Sequence, residues 1–367
     1  MDEAEQRAWL RLALTEGVGP RTAGALLAAF GLPGRIFDTD HAELARAVGA
    51  ALATKLLAPE PAAVSRALAW LAGGVDRSLV TLADRDYPAA LLDLADAPPL
   101  LYLQGRRALL GRPALAIVGS RSATRQGEAN AEAFAAHLAG CGLTIVSGLA
   151  RGIDSAAHRG ALGSDAATIA VLGTGADRVY PSSNRALAAR IAQQGLLLTE
   201  YPLGMPGHEH NFPRRNRLIA ALSRGVLVVE AATHSGSLIT ATVAAELGRD
   251  VMAIPGSIHS PVTHGCHRLI RQGARLVESA QDVLEELGLD AVPPPAPGLA
   301  GRSGDSREGG HDAALLHALG YDPVDLDTLA RRTGLAPGAL SARLLELELT
   351  QHVERLAGNC YQRLRHR

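Results

Sequence analysis

The chain has 367 residues, 47% of them hydrophobic, with a formal net charge of −1. That is long enough for two or three domains with ordinary cores, and it excludes binding to nucleic acid through an overall basic field, leaving only local clusters of side chains. Lys55 is the only lysine, so nearly every cation is a guanidinium able to grip phosphate in bidentate fashion.

The cysteines Cys141, Cys266 and Cys360 lie far apart with no CxxC, which argues against a disulfide framework or a zinc site. The N-terminal Met1-Asp-Glu-Ala-Glu5 carries acids where a signal peptide needs basic residues, and no apolar run approaches the roughly 20 residues of a membrane span. A soluble, cytoplasmic protein is expected.

Residues 1–74 are predicted to form an all-α unit, with Ala and Leu at helical spacing and turn signals at Gly17 to Pro20, Gly31 to Gly34 and Pro59 to Pro61. Within it, Glu16-Gly-Val-Gly-Pro-Arg-Thr-Ala-Gly-Ala-Leu-Leu27 has the glycines of a helix-hairpin-helix turn, whose amides can meet a DNA phosphate. An αα-hairpin used only for packing fits the same residues.

Residues 75–287 alternate short β-branched runs with helical segments, the pattern of a parallel sheet covered on both faces. Strands are expected at Leu115 to Val118, Leu143 to Val146, Ala167 to Leu172, Leu196 to Glu200, Val226 to Glu230 and Val251 to Ile254. Flanking strands are expected near Leu79 to Leu82, Leu100 to Leu103 and Arg275 to Val277. Loops rich in glycine or polar residues follow the strands: Gly119-Ser-Arg121, Ser147 to Asp154, Gly173-Thr-Gly175, Ser235-Gly-Ser237 and Pro255-Gly-Ser257. Loops at the carboxyl ends of parallel strands share one sheet edge, so these should converge on one crevice.

Residues 288–311, rich in Pro, Gly and Ser, are expected to be a linker. Beyond it, within 312–367, Ala313 to Leu319, Asp325 to Thr333 and Ala339 to Leu347 have helix-turn-helix spacing, and Gln351 to Leu364 supplies a wing hairpin. The candidate recognition helix carries Arg343 as its only basic residue, with Glu346 and Glu348 close behind, so a protein contact or a packing role competes with DNA reading there.

The crevice lacks the fingerprints of the common cofactors. Gly173-Thr-Gly-Ala-Asp-Arg178 has only two of the glycines of a dinucleotide loop and runs into Val-Tyr-Pro181 where a helix should start. No glycine loop carries a P-loop lysine. Asp154 and His158 lie one helical turn apart and suit an acid/base pair or metal ligands. The preferred reading is structural, with Asp154 capping the helix and His158 fixing the loop, because no Ser or Cys nucleophile has triad spacing. His208, His210, His259, His264 and His267 match no metal-ligand spacing. Ser235-Gly-Ser237 suits close backbone approach to phosphate better than a nucleophile turn.

Arg121, Arg151, Arg214, Arg215 and Arg217 stand in or beside the loops as fork-shaped donors to phosphate. Aromatics, which stack on single-stranded bases, are only 3% of the chain. Tyr180, Tyr201 and Phe212 nevertheless border the expected crevice, with Tyr201 read as a core residue at a loop base.

Ile117-Val-Gly-Ser-Arg121, Val146-Ser-Gly-Leu-Ala-Arg-Gly-Ile-Asp-Ser-Ala-Ala-His158, Ile169-Ala-Val-Leu-Gly173, Val179-Tyr-Pro181, Phe212-Pro-Arg-Arg-Asn-Arg217, Ser235-Gly-Ser-Leu-Ile-Thr240, Ile254-Pro-Gly-Ser257 and Gly265-Cys-His-Arg-Leu-Ile270 resemble, in order, the DNA-processing protein A (DprA/Smf) family. The resemblance implies an extended Rossmann-like α/β domain, preceded by a SAM-like helical domain and followed by a winged helix. It also implies a homodimer without known catalysis or cofactor that binds single-stranded DNA and loads the RecA recombinase during natural transformation. The resemblance gives Arg121 a DNA-gripping role and places the loop from Tyr180 to Arg185 beside it; joined to the crevice loops read above, the expected DNA-binding set is Gly119, Ser120, Arg121, Ser147, Gly148, Arg151, Gly152, Tyr180, Ser182, Asn184, Arg185, Phe212, Arg214, Arg215, Asn216, Arg217, Ser235, Gly236 and Ser237. Leu269 and Leu276 are candidates for the dimer contact. Two positions depart from the family: Ser182 stands where a lysine often follows Tyr-Pro, and Gln126 where a tyrosine is common. The alternative reading is a Rossmann-like nucleotide hydrolase using Asp154, His158 and Glu230.

Overall fold

The structure is a computed structural model and describes residues 2–289, 310–320, 323–356 and 358–364. Six helices open the chain: α1 (Glu3–Leu14), α2 (Pro20–Phe30), α3 (Pro33–Asp38), α4 (His41–Val48), α5 (Ala50–Leu57) and α6 (Ala62–Ala72). Asp2 and Glu5 close a capping box at the start of α1, satisfying amides that would otherwise lack partners. The turn between α1 and α2 falls where the glycines predict it, with Gly17 at φ 91° and Pro20 opening the second helix. Leu12, Leu26, Ile36, Leu44 and Leu56 form the core of this unit. Trp9, Leu10 and Val64 instead pack against Leu79, Leu100 and Tyr102 of the sheet that follows.

That sheet has nine strands among the described residues: β1 (Arg77–Thr81), β2 (Leu100–Gly105), β3 (Ala114–Val118), β4 (Thr144–Ser147), β5 (Thr168–Val171), β6 (Leu196–Thr199), β7 (Gly225–Val228), β8 (Asp250–Ala253) and β9 (Arg275–Leu276). All fall within a residue or two of the runs that predict them. Between the strands run α7 (Arg125–Gly140), α8 (Ile153–Ala161), α9 (Arg185–Gln194), α10 (Asn211–Leu222), α11 (Ser237–Glu246) and α12 (His264–Arg271), and α13 (Ala280–Glu286) follows β9. The strand order is β1-β2-β6-β5-β4-β3-β7-β8-β9. From β6 to β9 every pair is parallel, while β2 pairs antiparallel with both β1 and β6.

Side chains alternate across the pleat. Leu115 and Ile117 of β3 join one core with Ile145 and Leu227, and Ala116 and Val118 join the other with Val146 and Val226. Both faces are therefore covered, as the uninterrupted apolar runs require.

The linker expected over 288–311 lies almost wholly on residues 290–309, outside the described residues. The C-terminal unit contains α14 (Gly310–Leu319), β10 (Val324–Asp325), α15 (Leu326–Thr333), α16 (Pro337–Leu349), β11 (Val353–Leu356) and β12 (Cys360–Arg363). The three strands form a small antiparallel sheet in the order β10-β12-β11, with β11 and β12 as the wing. Leu316, Leu329, Leu340, Leu344 and Val353 fill its core.

Candidate functional site

The chain leaves β3, adds β4, β5 and β6 on one side, and then returns to place β7 on the other side of β3. That reversal is the topological switch point, where loops from neighbouring strands diverge and leave a crevice. The loop after β3 is tied across it: Ser120 N–H donates to the Glu230 carbonyl at 2.7 Å. Glu230 in turn accepts from the Thr124 backbone at 3.0 Å and the Thr124 hydroxyl at 2.6 Å. Burial pushes the Glu230 carboxyl up, and the bonds from Thr124 oppose the shift. Glu230 thus clamps the loop that carries Arg121.

The crevice encloses about 570 Å³, and Ser120, Arg121, Phe212, Asn216, Ser235 and Ser237 line it. The Arg121 side chain is exposed and lies over the Phe212 ring, 5.5 Å from its centroid. Tyr180, 51% exposed, packs against Phe212 with the ring centroids 5.2 Å apart and the rings tilted by 34°. A smaller adjoining pocket is lined by Arg121, Gly148, Arg151, Tyr180 and Phe212. A guanidinium and two aromatic rings are therefore gathered at one wall, an arrangement that suits a phosphate beside an unstacked base.

Beneath that wall, Arg215 is only 3% exposed. Its Nη1 donates to the Gly148 carbonyl at 2.7 Å and also to the Val171 carbonyl. The same Gly148 donates its N–H to Asp154 Oδ2 at 3.1 Å, and Ala150 N–H adds a bond at 3.3 Å. Gly148 is held from both sides, and a Cβ there would lie 2.5 Å from Arg215 Nη2, so a side chain at this position would push the guanidinium off its carbonyls. Burial pushes the Asp154 carboxyl up and the Arg215 guanidinium down to about 10, and each charge offsets the other's shift. Asp154 does not cap α8: the N-cap is Gly152, at φ 72° and without a side-chain bond. The carboxylate shapes the loop instead.

His158 does not fix the loop either. Its Nδ1 is 2.7 Å from Thr168 Oγ1. That hydroxyl donates its own proton to the Ile145 carbonyl, so Nδ1 carries the hydrogen and α8 is pinned to β5. Burial drives the imidazole pKa down to about 3.

The remaining expected site residues separate by position. Ser235 and Ser237 share a hydroxyl bond of 2.7 Å in the crevice wall. Arg151 lines the smaller pocket, and Arg151, Ser182 and Arg185 are all exposed. Asn184 holds the loop from below, donating to the Leu149 carbonyl and Ser155 Oγ at 2.9 Å each. Ser147 is buried, its hydroxyl spent on the Ile117 carbonyl. Arg217 does not reach the crevice as a free donor, because it is buried in ion pairs with Glu200 at 2.6 Å and Asp96 at 3.2 Å. Arg214 stays half exposed, 3.8 Å from Glu200. Tyr201 is buried and donates to the Asn211 carbonyl.

Of the two dimer candidates, Leu269 belongs to the core and offers a partner no surface, whereas Leu276 is 43% exposed on the outer strand. Among the described residues no group of three or more His, Cys, Asp or Glu is placed to hold a metal, and no helix is long and apolar enough to cross a membrane. The clamp formed by Glu230 and Thr124 carried no spacing signal, since 106 residues separate the two. The same holds for the contact of the C-terminal unit with α7, where Glu354 meets the Arg125 side chain at 3.5 Å and accepts from its backbone N–H.

Comparison with known proteins gives this geometry a lineage. Residues 78–288 match the family model of DNA recombination-mediator protein A, and residues 293–359 match the DprA winged helix domain. Protein Smf of Escherichia coli is 42% identical over 310 residues, covering 82% of this chain and 81% of its own. The DNA processing protein DprA of Streptococcus pneumoniae is 50% identical over 206 residues, 56% of this chain and 73% of that protein. The crystal structure of DprA from Streptococcus pneumoniae superposes with a TM-score of 0.69 at 38% identity, covering 76% of this chain and 97% of that one. DNA processing protein A from Helicobacter pylori, solved for its single-stranded DNA binding mode, gives 0.53 at 32% identity over 57% of this chain and 95% of that one. With its sheet, its crevice loops and its C-terminal winged helix all matched, the chain belongs to the DNA recombination-mediator protein A family.

Proposed function

We propose that the crevice at the switch point binds single-stranded DNA, and that the protein protects incoming strands and hands them to the RecA recombinase during natural transformation and repair. The observation that carries this reading is the wall in which Arg121 stands over Phe212 and Phe212 stands beside Tyr180. The guanidinium answers a phosphate and the rings answer a base, and only an unpaired strand presents both together. The relative from Helicobacter pylori, with its single-stranded DNA binding mode, supports it.

In this reading Arg121, Arg151, Arg185 and Arg214 touch the strand, while Arg215, Asp154 and Asn184 shape the loop beneath it. The protein works in the cytoplasm as a homodimer through the sheet edge near Leu276, and the helical unit of 1–74 and the winged helix of 312–367 flank the binding domain.

The test is an electrophoretic shift with oligo-dT and with duplex, run on the wild type and on Arg121→Ala with Arg151→Ala. Preference for the single strand, lost in the double variant, is expected. Equal binding by the two proteins would remove the crevice from the DNA path. A hydrolase built on Asp154, His158 and Glu230 is disfavoured because all three are committed to holding backbone or neighbouring side chains. Release of base or phosphate from nucleotides by the wild type, abolished in Asp154→Ala, would reverse that judgement.

A further inference from the structure

Helix α16 occupies the position of a recognition helix, yet its outer face carries an apolar stripe. Its inner face supplies Leu340, Leu344 and Leu347 to the core. On the outer side Leu335, just before the helix, is followed by Gly338, Ala342, Leu345 and Leu349, all exposed. Leu345 is 56% exposed and Leu349 is 77% exposed. The spacing alternates three and four residues, which is the a/d pattern of a seam between packed helices. From Leu335 to Leu349 this stripe runs two heptads, roughly 21 Å at 1.5 Å per residue. Single exposed leucines are ordinary on a soluble protein, but a continuous stripe at helical spacing marks a surface that another element covers.

The charges beside the stripe indicate what covers it. Glu346 is exposed and Glu348 half-buried on the same helix. Arg343, its only basic residue, is tied to Asp312 at 2.5 Å. At the end of α15, Arg331 is bonded to Thr328 and Arg332 to the Ala318 carbonyl. A DNA backbone would meet carboxylates along the helix that ordinarily enters the groove. A second copy of the same face would bring more carboxylates and no unpaired cation of α16 to offset them.

We propose that the outer face of α16 is a docking surface for an amphipathic helix of a partner protein, one whose apolar stripe is edged by lysine or arginine. The leucines supply the buried contact, and Glu346 and Glu348 select the partner by charge. The winged helix thereby acts as a protein-recruiting module beside a DNA-binding one.

The test uses the full-length chain and a fluorescent three-heptad peptide with leucine at a and d and lysine on the flanks, with a glutamate-flanked peptide as control. Fluorescence anisotropy should show saturable one-to-one binding of the lysine peptide, weakening as salt rises. Leu345→Asp with Leu349→Asp should lose roughly tenfold or more in affinity, as expected when central apolar anchors are removed. Both positions are exposed, so the melting temperature should hold, and Leu345→Met with Leu349→Met should retain binding. Leu92→Asp, at an exposed leucine elsewhere, should also bind as wild type. Equal binding by all variants, or no preference between the peptides, overturns the proposal. So does a fall in the chain's own oligomeric mass in the aspartate variant, which would make a second copy the occupant. Loss of a duplex shift in that variant would assign the face to DNA.

Discussion

The crevice of the central sheet and helix α16 of the winged helix both occupy places where their folds commonly meet nucleic acid, and their side chains differ in kind. The crevice gathers exposed guanidinium groups and aromatic faces over a floor whose polar atoms are already bonded. Helix α16 shows exposed leucines and carboxylates, and its one guanidinium is occupied by Asp312. A fold supplies a position, and the residues at that position decide what binds there. The contrast also runs within the crevice, where Arg121 is free to act on a ligand and Arg215 is part of the floor.

The largest effect expected from breaking that inner contrast comes from the floor. Arg215→Ala strands the buried Asp154 carboxylate and frees the Gly148 and Val171 carbonyls, so denaturant unfolding should show a loss of about 3–5 kcal/mol. Arg121→Ala, at an exposed position, should leave stability within about 0.5 kcal/mol. If Arg215→Ala were as stable as wild type and impaired only in oligo-dT binding, the division into floor and wall would fail.

Next in size is the wall. Phe212→Leu should weaken oligo-dT binding by about 1–3 kcal/mol through lost stacking, with no change in the salt dependence. Arg121→Ala should weaken it by a similar amount and lower the slope of log affinity against log salt by about 1, because one phosphate contact is lost. Titrations at several salt concentrations separate the two residues; identical slopes in both variants would mean that Arg121 does not meet phosphate.

The effect that appears only below neutral pH concerns His158. The His158 pKa lies near 3 in the folded chain, below its ordinary value of 6.5, so the unfolded chain takes up the proton first as pH falls. The stability that neutral His158 contributes is therefore complete above about 6.5 and declines by roughly 1.4 kcal/mol per pH unit below it. The buried carboxyls Asp154, Glu200 and Glu230 have raised pKa values and act with the opposite sign, so the wild-type curve mixes both. Comparing His158→Gln with wild type by thermal melts between pH 5 and 7 isolates the histidine, and the slope difference should vanish above about 6.5.

Much of this was legible in the residues. Short apolar runs locate the nine strands, the parallel ones at the spacing of βαβ units, and the glycine-rich loops after β3, β4 and β7 locate the crevice, because parallel strands put those loops on one edge. The separation of wall from floor was not. Arg214, Arg215 and Arg217 stand together on one helix, and 3.6 residues per turn send them to different neighbours. Arg215 meets carbonyls of the β4 loop and β5, while Arg217 meets Glu200 and Asp96, the latter more than a hundred residues away. Leu269 and Leu276 look alike as letters, and only the packing of α12 buries the first and leaves the second at the sheet edge.

The sequence by itself determined the α/β order of the elements, most of the crevice loops, the lack of dinucleotide and P-loop fingerprints, and the family, because each depends on local periodicity or on motifs read in order; the Pro255 loop, expected in the same crevice, lines a separate pocket with His264 and Leu276. Only the tertiary structure decided which arginines are free, what Asp154 and His158 hold, and which of the two leucine faces of α16 is left outside. Those outcomes depend on partners distant in the chain, and burial is set by whatever the fold brings alongside.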